Sequence, residues 1–330
     1  MADRYIYDVA LVLGAGFSAA QGYPLMSGMR KKVEERIGAG DPNLWQQYKR
    51  WIIEAGVACD LCFEELLSKA AERADVPEED VIVDALRREA RALLREVEGG
   101  IETKKGAEGN ENREWIRGPY RSFAKKMRSA SSGARRIAFV TFNWDLLLEA
   151  LLWSEAMGWT YGWAEASQPK FPIVKVHGSL NWNASGLRSG EWRCEDKREV
   201  IKGVHYCAGR PFADIFPGGT NANFGMMLFP PGPAHAEQHA AAELARQAAA
   251  VIGLSAKALV IGYSLPDYDL ESQRWLTEAL EGRPTEVVDS SPKTLQRWQQ
   301  MLGRSAGAER RFTQSTFADW ATAEPDRALD

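Results

Sequence analysis

The chain contains 330 residues, of which 45% are hydrophobic and 26% are charged, proportions typical of a soluble globular protein. Its formal net charge of −4 gives no basic footprint for nucleic acid, and no apolar run approaches the ~20 residues that span a bilayer. The first residues, MADRYIYDVALVLGAG, lack the basic region and the cleavage site of a signal peptide. We therefore expect a cytoplasmic protein that binds neither nucleic acid nor membranes.

The first predicted element is a strand, YDVALVL at 7–13, which runs directly into the glycine-rich segment LGAGFSAAQGYP at 13–24. A glycine-rich turn between a strand and a helix is where a nucleotide phosphate rests on the helix N-terminus. Glycine is also common in turns that bind nothing, so this segment alone leaves both interpretations open.

A long helical block at 31–133 follows. Its apolar residues recur at intervals of three and four, which predicts several amphipathic helices, and the polar, glycine-rich stretch at 99–114 is expected to be an exposed loop. Cys59 and Cys62 form a C-x-x-C, but the other two cysteines lie far apart, which does not favour a structural zinc site. We expect no bound metal.

Four more strands are predicted downstream, at 137–142, 173–178, 258–263 and 285–290, together with a helix at 235–254 and a loop-rich segment at 181–234. Strands that alternate with helices predict an α/β fold with a Rossmann-like parallel sheet and helices on both faces. We expect one discontinuous domain over 1–330. In it, the helical block and the loop-rich segment are inserted into a core formed by 1–30, 134–180 and 235–330.

Polar residues and glycines follow all five predicted strands. In chain order they are Gly14, Gly16 and Ser18; Thr141, Asn143 and Asp145; His177; Gly262 and Ser264; and Asp289. Because the carboxyl ends of parallel strands share one edge of a sheet, these groups are expected to line a ligand-binding crevice.

Each of these residues also has a purely structural interpretation. Asn143 and Asp145 could cap the apolar helix DLLLEALLW, as Asn and Asp commonly do. His177 could be a buried structural histidine, and Ser264 could cap a turn. Their equivalent positions at the strand ends favour a shared site.

A nicotinamide-dependent dehydrogenase is the first alternative, because GAGFSA satisfies the pattern G-x-G-x-x-[GA]. That fingerprint requires a βαβ unit of ~30 residues with an acidic residue at the tip of its second strand. Glu34 and Glu35 have about the right spacing, but they lie in a predicted helix. The context therefore disfavours hydride transfer.

The ordered motifs GAGFSAAQGYP, TFNWD, VHGS and IGYSLPDYD resemble those of the sirtuin superfamily, and more closely its prokaryotic sirtuin-like branch. They amount to some 40 residues between positions 13 and 269. The resemblance implies a Rossmann-type domain that uses NAD as a substrate and breaks the bond between nicotinamide and ribose.

The resemblance also implies roles for the matching residues. Asn143 would fix the ribose or the attacking water, His177 would act as general base, and Asp145 would hold the carboxamide or a bound water. The backbone at the start of the glycine loop would hold the pyrophosphate, and the last strand end would contact the adenosine ribose. The implied NAD-binding residues are Gly14, Ala15, Gly16, Phe17, Ser18, Pro24, Thr141, Gly262, Ser264 and Asp289.

Two departures from the deacylating members of that family bear on the activity. Pro24 is followed by Leu-Met-Ser where they have Asp-Phe-Arg, and only Cys194 and Cys207 follow His177 where they carry a four-cysteine zinc module. The sequence therefore favours an NAD glycohydrolase of antiphage defence, which releases nicotinamide and ADP-ribose or a cyclic form of it. A protein deacylase or ADP-ribosyltransferase, and a non-catalytic module that binds NAD or ADP-ribose, are the alternatives.

An enzyme that destroys NAD must be silent until it is triggered. We therefore expect control by homo-oligomerisation or by a partner protein encoded nearby. The helical block and the loop-rich segment, which show no catalytic signature, are the expected contact surfaces.

Overall fold

The computed structural model describes residues 5–58, 61–71, 77–102, 118–162, 171–184, 197–201, 204–207, 226–227, 235–303 and 308–323. The strands are, in chain order, β1 (Tyr7–Leu13), β2 (Ile137–Thr141), β3 (Trp159–Tyr161), β4 (Phe171–Lys175), β5 (Gly178–Ser179), β6 (Trp182–Ala184), β7 (Lys197–Ile201), β8 (Val204–Cys207), β9 (Met226–Met227), β10 (Ser255–Ile261), β11 (Thr285–Asp289) and β12 (Arg310–Gln314). The helices are α1 (Ala15–Ala19), α2 (Met26–Gly40), α3 (Pro42–Glu54), α4 (Phe63–Ala71), α5 (Pro77–Glu102), α6 (Gly118–Ser132), α7 (Leu147–Ser154), α8 (His235–Gly253), α9 (Leu270–Leu280), α10 (Pro292–Leu302) and α11 (Phe317–Thr322).

Seven of these strands form one sheet in the order β12–β11–β10–β1–β2–β4–β3, and every neighbouring pair is parallel. The chain starts in the middle of the sheet, builds one side through β2, β3 and β4, and returns along α8 to β10 on the other side of β1. The order therefore reverses between β1 and β10. Such a topological switch point is where open α/β sheets open a crevice at the carboxyl ends of their strands.

Helices flank the sheet and bury it. All five residues of β2 and of β4 are buried, as expected for parallel strands that are covered on both faces. Helix α8 packs on α9 and against the central strands, while α6 packs on α11. The result is the Rossmann-like α/β fold that the alternation of strands and helices predicts.

The helical block is continuous with the core of the sheet. Helices α2 to α5 pack on one another, and their buried apolar side chains belong to the same cluster as those of the sheet. The last helix of the block, α6, lies against the sheet layer instead, because Tyr120 and Phe123 surround Phe17 and Phe317 with ring centroids 4.8–5.7 Å apart. The burial of the Phe17 ring in this aromatic cluster holds the first part of the glycine loop, residues 13–24, in place.

All five predicted strands of the sheet are present, within a few residues of their predicted ends. The sheet has two further strands, β3 and β12, at its two edges. Short strands in the segment at 181–234 pair antiparallel as β6–β8–β7, and β9 of that segment pairs with β5, which precedes it. Helix α5 extends to Glu102, into the predicted loop, and the residues from 103 to 117 lie outside the described part of the chain. Among the described residues, no helix combines the length and the apolar character that crossing a membrane requires.

Candidate active site

The loops that follow β1 and β10 touch through their backbones. The Gly16 N–H donates to the Gly262 carbonyl at 2.9 Å, and a Cβ added to Gly262 would lie 2.6 Å from the Gly16 Cα. A Cβ on Gly14 would lie 2.4 Å from the Tyr263 Cα. No ordinary side chain fits in these gaps, so the glycines allow the two loops to meet at the switch point of the sheet.

Replacing Gly262 with alanine is expected to lower the free energy of unfolding by more than the roughly 1–3 kcal/mol of a left-handed residue alone. Gly262 has φ +63°, and its added methyl group would collide with the backbone of Gly16. Gly282 is the matched control, since it has φ +66° but nothing within 4 Å of an added Cβ. Urea unfolding should show Gly262→Ala to be clearly less stable than Gly282→Ala. Equal losses would mean that the contact between the loops is not tight.

A cavity of about 650 Å³ opens beside these loops, within the range of about 300–1,000 Å³ that ligand pockets occupy. Its lining includes side chains from the ends of all five predicted strands. The predicted site residues that line it are Ala15, Gly16, Ser18, Pro24, Asn143, Asp145, His177, Gly262, Ser264 and Asp289. His177 follows β4, and Asp289 is the last residue of β11, four strand spacings away, so the lining residues extend across about 19 Å of the sheet.

Three predicted residues, Gly14, Phe17 and Thr141, lie behind the lining. Gly14 packs under Tyr263, and the Phe17 ring is buried in the aromatic cluster described above. The Thr141 hydroxyl accepts the Asn143 N–H at 3.1 Å, which fixes the turn after β2. These residues shape the site from beneath rather than facing the cavity.

Asn143 connects the loop after β2 to the glycine loop. Its Nδ2 donates to the Gly14 carbonyl and to the Ser18 hydroxyl, both at 3.0 Å. With both amide hydrogens engaged, the side chain is held in one orientation at the edge of the cavity. Both contacts of the Asn143 side-chain amide go to the glycine loop, and neither goes to the start of α7. The amide therefore does not cap that helix.

Asp145 does have a capping role, and it lines the cavity as well. Its Oδ1 accepts the Leu147 N–H at 3.0 Å at the start of α7. Burial raises the pKa of Asp145, although Lys175, Ser18 and the Leu147 N–H oppose the shift. Asp145 therefore both caps the start of α7 and lines the cavity.

A buried group of charges lies beneath Asp145. The Lys175 ammonium is 2.9 Å from Glu149 Oε1 and also donates to the Asp145 carbonyl, with both side chains of the ion pair almost completely buried. Glu98 reaches the same place from α5, where its Oε1 accepts the Leu146 N–H at 3.3 Å. Burial and the charge of Asp145 raise the pKa of Glu98 to about 8. Charged groups from β4, α7 and the helical block thus lie behind Asp145, which is the one of them that lines the cavity.

His177 lies between two carboxylates. Its Nδ1 is 3.5 Å from Glu64 Oε1 and its Nε2 is 3.3 Å from Asp269 Oδ2. Burial alone lowers the pKa of an imidazole, but the contacts with Asp269 and Glu64 outweigh it and raise the pKa of His177 to about 10. The ring is therefore protonated at neutral pH in this arrangement, whereas a general base must be neutral.

The backbone amides of the glycine loop are largely engaged within the protein. Gly14 N–H donates to Ile261, Gly16 N–H to Gly262, and Phe17 N–H to the Gly14 carbonyl, at 2.9–3.0 Å. Among the N–H groups of the turn from Gly14 to Phe17, where a pyrophosphate is expected, Ala15 N–H is the one to which the described residues offer no acceptor. Ala15 and Ser18 both line the cavity from this loop, and the Ser18 hydroxyl accepts the hydrogen bond from Asn143.

Several lining residues were not predicted from the sequence. Glu64 and Leu94 come from the helical block, Tyr23 from the glycine-rich segment itself and Met26 from the start of α2. Tyr268 comes from the loop between β10 and α9, and Lys293, Thr294 and Arg297 come from α10. The Tyr23 hydroxyl is buried and has no hydrogen-bond partner among the described residues. A buried hydroxyl without a partner in a cavity wall is a position where a ligand can supply the missing hydrogen bond.

Within the described ranges, no three histidine, cysteine, aspartate or glutamate side chains are grouped so that they could hold a metal ion.

A comparison with models of known protein families finds no match to the chain. A search of curated proteins finds no match either.

Proposed function

We propose that the protein is an NAD glycohydrolase, which cleaves the bond between nicotinamide and ribose to give nicotinamide and ADP-ribose, or a cyclic form of it. One observation carries the proposal. Asn143, bonded to the glycine loop and to Ser18, lies on the same cavity as His177 at the switch point of a Rossmann-like sheet. Ligands of such sheets bind at this point.

The shape of the cavity suits a dinucleotide. Its lining residues extend over about four strand spacings, or roughly 19 Å, between the ends of β11 and β4. Asp289, at one end, offers a carboxylate to the adenosine ribose hydroxyls, a common arrangement in dinucleotide-binding folds. Ala15 and Ser18 lie beside the middle of the sheet, where the pyrophosphate would pass. Asn143 and His177 lie at the end where the nicotinamide ribose would be held.

The free Tyr23 hydroxyl is a second sign of fit. It is buried near the acidic groups Glu98, Asp145 and Glu149, and its pKa is raised well above the ordinary value by burial and by these charges. A neutral phenol there is a hydrogen-bond donor, which the carboxamide oxygen of nicotinamide can accept.

The chemistry asks little of the protein beyond position and charge. Nicotinamide is a cationic leaving group, and it departs as a neutral molecule with the electron pair of the bond to C1′ of the ribose. The ribose is left with oxocarbenium character, which nearby carboxylates stabilise. Glu64 and Asp145 line the cavity at this end and supply that negative charge.

The similarity of four ordered motifs to the prokaryotic sirtuin-like proteins supports the same activity, and the Leu-Met-Ser after Pro24 favours hydrolysis over deacylation. We propose further that the enzyme acts in antiphage defence under control of oligomerisation or a partner. The helical block is a suitable route for such control, because Glu64 and Leu94 from α4 and α5 form part of the cavity wall. A partner bound to these helices would act directly on the site.

The experiment that tests the activity follows nicotinamide release from NAD with and without an acyl-lysine peptide, at protein concentrations from nanomolar to tens of micromolar. A glycohydrolase releases nicotinamide at the same rate in both cases, and control by oligomerisation makes the specific activity rise with protein concentration. Release that requires the peptide would instead establish a deacylase. NAD binding without release would establish a non-catalytic module.

A further inference from the structure

Glu64 is the acidic residue of the cavity wall that comes from outside the Rossmann-type core. It occupies the first turn of α4 in the helical block, and it is 6% exposed. Its carboxylate faces His177 on one side and accepts a hydrogen bond from the Tyr268 hydroxyl on the other. Contacts from two separate elements therefore fix its position at the cavity.

Glu64, His177 and Asp269 form a row of carboxylate, imidazole and carboxylate, with contacts of 3.5 Å and 3.3 Å. Asp269 is the closed end of the row. Its side chain caps α9 through the Ser272 N–H at 3.1 Å and accepts the Tyr263 hydroxyl at 3.1 Å. Glu64 is the open end, since it lines the cavity together with His177.

The two flanking carboxylates stabilise the imidazolium, the form of the ring that is protonated on both nitrogens. Each of its nitrogens faces a carboxylate oxygen, and neither makes a well-aligned hydrogen bond. An imidazolium has no lone pair with which to accept a second proton. The group in this row that can accept a proton from the cavity is therefore the Glu64 carboxylate.

We propose that Glu64 is the general base of the site, and that His177 and Asp269 hold it in position. The inference rests on the proposed NAD glycohydrolase activity. In the step, the oxygen of a water molecule bonds to C1′ of the ribose as the C1′–N bond breaks. Nicotinamide leaves with the electron pair of that bond. One proton of the water stays on the new hydroxyl group at C1′, and the other passes to a Glu64 oxygen. The products are nicotinamide, ADP-ribose and one proton, which Glu64 later releases to solvent.

Tyr268 and His177 have supporting roles in this arrangement. Tyr268 donates to Glu64 Oε2, and the imidazolium contacts Glu64 Oε1. Each of these contacts uses one lone pair, so each oxygen keeps a second lone pair that can accept the proton of the water. The helical block thus contributes a reacting group, so its placement against the core determines whether the site is complete.

The test is Glu64→Gln, which keeps the size of the side chain and removes the base. We expect its kcat for nicotinamide release to fall by about 10²–10⁴-fold, the usual contribution of a general base, while the dissociation constant for NAD changes by less than about threefold. Glu65→Gln is the control on the same turn. Glu65 accepts the Cys62 N–H at 2.9 Å, a role that a glutamine oxygen retains, so normal activity is expected.

Azide separates a base from a structural residue, because azide attacks carbon without losing a proton. Millimolar azide should restore nicotinamide release to Glu64→Gln but not to Asn143→Ala. Glu64→Asp, which retains a carboxylate one methylene further back, should be more active than Glu64→Gln at equal thermal stability. Absence of azide rescue, or equal activity of the aspartate and glutamine variants, would overturn the proposal.

The rival assignment, His177 as the base, predicts the opposite pH profile. Glu64→Gln removes one of the two carboxylates that raise the pKa of His177, and it leaves Asp269, with Tyr263, Tyr268 and Cys62 around the row. A histidine base would then become neutral at a lower pH. The variant would therefore stay active, and the pH at which its rate increases would shift downward relative to the wild type. That result would refute the role of Glu64 and leave the glycohydrolase activity standing. A wild-type protein that releases no nicotinamide would remove both proposals.

Discussion

Replacing Asn143 with alanine is expected to lower kcat/KM for nicotinamide release from NAD by at least about 10²-fold, because correct placement of the reacting groups contributes at least that much. Asn143 is held by two hydrogen bonds of 3.0 Å, to the Gly14 carbonyl and the Ser18 hydroxyl. It therefore joins the loop that would hold the pyrophosphate to the end of the cavity where the ribose would react. An alanine has no amide group with which to hold the ribose or the attacking water in position.

The variant is expected to fold. The lost hydrogen bonds are worth about 0.5–1.5 kcal/mol each, and Asn143 itself is only half-buried at the cavity wall. Activity should therefore fall far more than stability does. Nicotinamide release and thermal unfolding, measured on the same preparation, separate the two effects.

Asn43→Ala is the matched control, because Asn43 is exposed on α3, in the helical block. It should keep wild-type activity. An Asn143→Ala protein with wild-type kcat/KM would show that the contacts between Asn143 and the glycine loop have no part in the reaction, and the assignment of the site would be wrong.

The second large effect concerns stability. We expect the free energy of unfolding to fall by roughly 3–5 kcal/mol as the pH rises from about 4.5 to 8, because the unfolded chain releases the Glu98 proton over this range while the folded protein retains it. Burial and the neighbouring Asp145 raise the pKa of Glu98 to about 8 in the folded state, against an ordinary value of 4.5 in the unfolded chain. Between these values the folded state binds more protons than the unfolded state, so stability decreases as pH rises.

Glu98→Gln removes this dependence. Glutamine retains an oxygen to accept the Leu146 N–H and carries no charge at any pH. The variant should lose less stability than the wild type between pH 5 and pH 8, and it should be the more stable of the two at pH 8. Urea unfolding at pH 5, 6.5 and 8 measures both slopes.

Two neighbouring groups shift stability in the same direction and remain in the variant. Burial raises the pKa of Asp145, and the raised pKa of His177 makes its contribution fall as pH rises from about 6.5 to 10. The difference between variant and wild type therefore isolates Glu98. Glu54→Gln, at an exposed position of α3, is the control and should follow the wild-type curve. Parallel curves for wild type and Glu98→Gln would refute the raised pKa of Glu98.

The sequence is sufficient to predict the strands that are buried and the residues that follow them. β-branched runs such as IAFVT are typical of strands covered on both faces, and parallel strands bring their carboxyl ends to one edge. This is why Asn143, His177 and Ser264, which are far apart in the chain, all line one cavity. The edge strand β12, RRFTQ, was missed because half-exposed polar residues carry no such pattern.

Glu64 could not be predicted in the same way. It precedes Asn143 by 79 positions and lies in the first turn of a helix, where acidic residues are favoured for a purely local electrostatic reason. Its place opposite His177 depends on how the helical block packs against the sheet, which no short motif encodes. Phe17 shows the converse, because it lies inside a glycine motif but its ring packs into the aromatic cluster.

The helical block also changes its expected role. The sequence suggested a contact surface without catalytic residues, whereas α4 and α5 provide part of the cavity wall. Regulation by a partner and completion of the site are therefore compatible functions of the same helices.

The most direct test of the central claim is a proton NMR time course of NAD incubated with the purified protein, because the nicotinamide ring protons and the anomeric proton report the bond that breaks. We predict the appearance of nicotinamide, matched in amount by ADP-ribose or its cyclic form, and no such change with Asn143→Ala. Intact NAD at every protein concentration, cleavage at the pyrophosphate or formation of NADH would contradict the proposed activity.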